Sequence, residues 1–139
     1  LSKTTGLAPT VAKLLIAKRA AASLKQEAQL INAVVYVSDN KDCWAEGCRG
    51  KLVFAATQME LLLWALEPLG KTVDTSEQEA VQLATLSKSI GDSRQSVSLL
   101  LDEIAKDSPS VDTIDLVRSD LSKNIDRLET VCDKALIAL

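Results

Sequence analysis

Three cysteines (Cys43, Cys48 and Cys132) and nineteen carboxylates carry most of the chemical potential of this sequence, and there is no histidine among its 139 residues. Without His, a His-assisted nucleophile, a His-ligated zinc and the Glu-x-x-His di-iron site of helical bundles are all excluded. A closed zinc site needs four N or S ligands, more than three cysteines supply. The Cys-x-x-Cys redox spacing is absent as well. Gly47 and Gly50 are not followed by the Lys-Ser/Thr of a phosphate loop. Most carboxylates (Asp102, Glu103, Asp112, Asp115, Asp120, Asp126, Glu129) fall on expected outward helix faces. Glu60 differs by interrupting an apolar helix, as a buried acid or at a bundle edge. A pI near 5.0 and four aromatic residues argue against nucleic-acid binding. The sequence therefore reads as non-enzymatic, with no catalytic residue, cofactor or metal.

The elements that would position these groups are helical. Apolar residues make up 47% and charged residues 25%, ordinary for one soluble domain over residues 1–139. Leu14, Ala17, Ala21, Leu24, Ala28, Ile31 and Val35 recur at spacings of three and four, which predicts a helix over about 9–38 opened by Pro9. A second helix is expected over about 44–67, with Leu52, Ala55, Met59, Leu62 and Leu66 as its core stripe. Phe54, Leu61, Leu63 and Trp64 fall largely outside that stripe, so this helix is apolar on more than one side. Overlapping capping boxes, Thr75-x-x-Gln78 and Ser76-x-x-Glu79, open a third helix over about 75–107, with a bend expected near Gly91. A fourth follows Ser108-Pro109-Ser110 over about 110–138. Short connections between helices of similar length predict an all-α, antiparallel up-down-up-down four-helix bundle.

That topology constrains the cysteines. Cys132 lies about 18 residues past the start of the fourth helix, or ~27 Å along it, beyond bridging range of Cys43 or Cys48. It is expected as a buried free thiol. Cys43 and Cys48 can close a disulfide in a Gly-containing loop, implying an oxidising compartment; the alternative is two thiols in a reducing cytosol.

Charge is uneven. Residues 1–51 hold eight cations and four anions, residues 52–139 eight cations and fifteen anions. A basic first helix, with Lys13, Lys18, Arg19 and Lys25, suits an acidic partner or anionic lipid, or else pairs with the protein's own acidic helices. The most apolar run, Leu52–Leu66, is about 15 residues, short of the ~20 a bilayer span requires. A peripheral, monomeric protein is expected. Three roles fit: a docking subunit using the basic face with apolar contact from Phe54, Leu61 or Trp64; a carrier of a lipid or other apolar ligand; and an adaptor bundle excised from a larger cytoskeletal or signalling protein. The start at Leu1 reads as processing or excision.

Two stretches resemble the PsbQ-type extrinsic proteins of photosystem II, in their algal and diatom form. One is Trp44 leading into Lys51–Leu66; the other is LATLSKSIGDSRQSVSLLLDEIAKDSPSVDTIDLVRSDLSKNIDRL, Leu83–Leu128, with its Lys-Asp-Ser-Pro turn. Phe54–Leu66 has no basic residue, so the family's basic positions on the second helix are not carried over. The resemblance implies a four-helix subunit on the lumenal face of photosystem II that supports oxygen evolution by helping to retain Ca²⁺ and Cl⁻ without ligating them. It implies a chloroplast thylakoid lumen location, where secreted or cytoplasmic sites are the alternatives. It also implies conditions under which Cys43 and Cys48 pair, and a removed transit peptide before Leu1.

Overall fold

The computed structural model describes residues 9–38, 48–71 and 75–139, with backbone alone at 35–38 and 48. The described residues form α1 (Pro9–Ser38), α2 (Cys48–Leu66), a 3-10 turn (Glu67–Gly70), α3 (Glu77–Ile104) and α4 (Val111–Ala138), with no strand among them. α1 packs on α2 and α4, and α3 packs on α2 and α4.

Each helix exists because a three-four apolar spacing gives it a face that must leave water. On α1, Leu14, Ala17, Ala21, Leu24, Ala28 and Ile31 are buried, joined by Ala20 and Val34. On α2 the buried set is Leu52, Ala55, Ala56, Met59, Leu63 and Leu66. Leu63 thus takes the core place expected for Leu62, which is only partly buried against the core. The physical reason is phase: from Leu52, Ala56, Met59 and Leu63 the face closes on Leu66, whereas Leu62 lies at its margin. α4 contributes Ile114, Leu121, Ile125, Leu128, Cys132 and Ala135. Each fully buried Leu or Ile stabilises the fold by about 1.5–3 kcal/mol.

α3 runs unbroken through Gly91. Its midsection turns three serines inward, Ser89, Ser93 and Ser96, between the apolar layers of Ile90 and Val97. Ser93 donates back to the Ser89 carbonyl at 3.0 Å, and Asn124 of α4 donates to the Ser96 hydroxyl at 2.7 Å. Ser93 and Ser96 are thus partnered, while the buried Ser89 hydroxyl has no partner among the described residues.

Caps fix the helix ends. Ser76 accepts from the Glu79 N–H at 3.1 Å, and Glu79 accepts from the Ser76 N–H at 3.3 Å, so the second of the two expected boxes forms and α3 starts at Glu77. The other Glu79 oxygen accepts from the hydroxyl of buried Thr10, tying the start of α1 to the start of α3. Ser110 caps α4 by accepting from the Thr113 N–H at 3.2 Å. Glu103, expected on an outward face, is buried: it accepts from the Ser110 N–H at 3.1 Å and from Lys106 at 3.0 Å. The tight 105–110 connection leaves a backbone donor beside the end of α3, and a carboxylate satisfies it. Gly70 ends the 3-10 turn hard against α3. A Cβ there would lie 2.7 Å from the Ser87 Cβ and 3.2 Å from its Cα, so only glycine allows the approach.

Candidate functional site

The four basic residues singled out on α1 separate in the structure. Lys18 pairs with Asp133 of α4 at 2.8 Å. Lys25 pairs with Glu129 at 3.0 Å and Asp126 at 3.5 Å. Two turns further along α1, Asn32 accepts from Arg118 of α4 at 3.1 Å. The Asp133 hydrogen bond, reinforced by its charge, raises the Lys18 ammonium above its usual 10.5, and Glu129 does the same for Lys25. Lys13 points elsewhere, donating to the Lys71 carbonyl at 3.0 Å. Arg19 is exposed and makes no hydrogen bond or ion pair among the described residues. It lines an open groove of about 590 Å³ with Leu15, Ile16, Lys18, Ala22 and Glu129. Leu15 and Ile16 are exposed there.

The over-apolar second helix resolves into two faces. Its core face is the Leu52–Leu66 set above. On the other side Val53, Phe54, Leu61 and Trp64 are exposed, Phe54 at 56% and Leu61 and Trp64 at 60%. Positions 53, 57, 61 and 64 follow a helical spacing, and Phe54 stands beside them, so these residues form one outward strip roughly opposite the core. Single exposed leucines are normal; a periodic strip with Phe and Trp in it is not. Glu60 sits half-buried at the strip's edge. The Arg94 guanidinium of α3 lies 5.2 Å from the Trp64 ring centroid and pairs with Glu67 at 3.0 Å, which holds the indole in place. Helix and 3-10 turn together extend the apolar segment to Arg49–Gly70, 22 residues of which the most apolar 18 have a mean hydropathy of 1.3. That is long and apolar enough to cross a membrane, so the shorter run counted from sequence no longer excludes a span by length; a third of it is buried in this fold.

The remaining candidates are of a different kind. Cys43 lies outside the described residues and Cys48 is described by backbone alone, so the expected 43–48 pairing lies outside them too. Cys132 is a buried free thiol. Burial, then the neighbouring Asp133 charge, pushes it up to about 11, leaving it protonated and unreactive at neutral pH. Among the described residues no three Cys, Asp or Glu side chains converge as a metal ion would require. For Lys18 and Lys25 the structure shows the expected alternative, pairing with the protein's own acidic helices; which carboxylates they meet was not legible, because the partners lie more than a hundred positions away. The exposed α2 strip was visible there as surplus hydrophobicity.

No family model, curated protein or solved structure matches the chain.

Proposed function

We propose that this chain is a non-enzymatic docking subunit: an up-down-up-down four-helix bundle that attaches, peripherally, to an acidic surface of a membrane protein complex. Two features support the bundle topology. The helix contacts run α1–α2–α3–α4–α1 as a closed ring. Partners also run in opposing order: Lys18, Lys25 and Asn32 meet Asp133, Glu129 and Arg118, while Gln78, Ser96 and Glu103 meet Ala138, Asn124 and Ser110.

The outward strip of α2 carries the docking reading. A helix that already buries a full core face gains nothing within the fold from Phe54 and Leu61 on its other side, and from Trp64 only the contact with Arg94. Arg19 supplies the positive charge, because Lys18 and Lys25 are spent on α4. The resemblance to PsbQ-type proteins makes lumenal photosystem II the complex to try first, with thylakoid lumen as the site of action. Rebinding to stripped photosystem II membranes is the test. The reading expects saturable rebinding that weakens with salt, is impaired by Arg19→Glu and is impaired by Leu61→Ser. No rebinding of the unmodified chain would remove the photosystem reading, and rebinding indifferent to both variants would remove this surface.

A further inference from the structure

We propose that the outer side of the α1–α2 pair is an attachment face for an anionic lipid surface, on which both helices lie in the plane of the headgroups. This goes beyond the docking reading, because lipid alone suffices for it.

Three observations converge. The exposed apolar residues of the two neighbouring helices, Leu15, Ile16 and Leu30 on α1 and Phe54, Leu61 and Trp64 on α2, supply aliphatic and aromatic area of the types that settle at the headgroup boundary. Charge is the second. α1 and α2 hold six cations against two anions, whereas α3 and α4 hold six against eleven, so the two helices that carry these residues are the basic pair of the bundle. Arg19 and Lys51 are exposed and, among the described residues, unpaired, which leaves them available to lipid phosphates. The third is the hydropathy of the most apolar 18 residues within Arg49–Gly70. A spanning orientation would have to pull Leu52, Met59 and Leu63 out of the core, where each is fully buried. Lying on the surface satisfies the outer strip and keeps the core intact. An acidic protein surface matches the charge but not the breadth of uncharged apolar area.

Flotation with phosphatidylglycerol-rich and with pure phosphatidylcholine vesicles tests this, using the whole chain. Binding to the anionic vesicles is expected, at least about tenfold weaker to the neutral ones. Phe54→Ser and Leu61→Ser should each weaken it by about tenfold. Leu116→Ser, which removes an equally exposed leucine from α4, should leave it unchanged. In a Trp44→Phe background Trp64 emission should shift to the blue on binding. Phe54, Leu61, Trp64 and Leu116 are exposed, and far-UV circular dichroism checks that the variants fold. Equal affinity for both vesicles, no loss with Leu61→Ser, or an unshifted Trp64 would each overturn the proposal. Rebinding to a detergent-solubilised complex without any affinity for vesicles would overturn it too, and leave the docking reading standing.

Discussion

α2 and α4 solve the same packing problem and then diverge. Each buries a continuous stripe, Leu52 to Leu66 on one and Ile114 to Ala135 on the other. Away from the core, α4 carries ten charged residues in 28, several of them committed to α1. Past Lys51, α2 carries only Glu60. The outside of α4 is thus largely charged, with Leu116 and Ile137 exposed among the charges, while the outside of α2 past Lys51 is apolar and nearly uncharged. A fold of this kind requires one wet face per helix, so the departure on α2 is where function is to be sought.

The contrast sharpens first inside α2 itself. Leu63→Ala should lower the unfolding free energy by about 2–5 kcal/mol, because it opens a cavity in the core, whereas Leu61→Ala should change it by no more than about 0.5 kcal/mol. Urea unfolding of both variants measures this, and equal losses would mean that α2 has no outer face. Gly70→Ala comes next. The added Cβ meets the Cβ and Cα of Ser87, neither of which can rotate away, so a loss of about 1–3 kcal/mol is expected in the same assay.

Acid should act on the polar ends and spare the apolar strip. Thr10, then Ser76, holds Glu79 below the usual 4.5; the Ser110 N–H, then Lys106, does so for Glu103. A carboxyl whose folded value lies below its unfolded one stabilises the fold above the unfolded value and loses that contribution as pH falls through the folded value. Stability should therefore hold from neutral pH down to about 5 and decline below 4.5, with a shallower decline in Glu103→Gln. The smallest effect belongs to α4's outer pairs. Lys25→Ala should cost little at low salt and nothing measurable at high salt, since the pair is exposed. Lys25 is raised in the fold, so what it contributes is present below 10.5 and fades as pH climbs through its folded value.

Much of this architecture was legible in the residue order. The three-four recurrence of Leu14 to Ile31 and the Ser76-x-x-Glu79 box located α1 and the start of α3, because both signals are local. The sequence places Leu62 in the stripe and Leu63 outside it, and the structure reverses them, since adjacent leucines at a stripe margin are resolved only by which neighbour the helix turns toward. The inward Glu103 and the glycine-only approach of Gly70 depend on contacts with Ser110 and Ser87, made by the path of the chain. For the basic face of α1 the sequence left two readings, a partner surface or the protein's own acidic helices; the structure pairs Lys18 and Lys25 with α4 and ties Lys13 to the Lys71 carbonyl, which leaves Arg19 as the unpaired cation of the four among the described residues.

The central claim is that the outward strip of α2 is the working surface. Acrylamide quenching of Trp64 in the Trp44→Phe chain, free and then bound to stripped membranes, tests it most directly. Strong quenching when free, as 60% exposure requires, and marked protection when bound are the predicted result. Quenching that is the same in both states would contradict it.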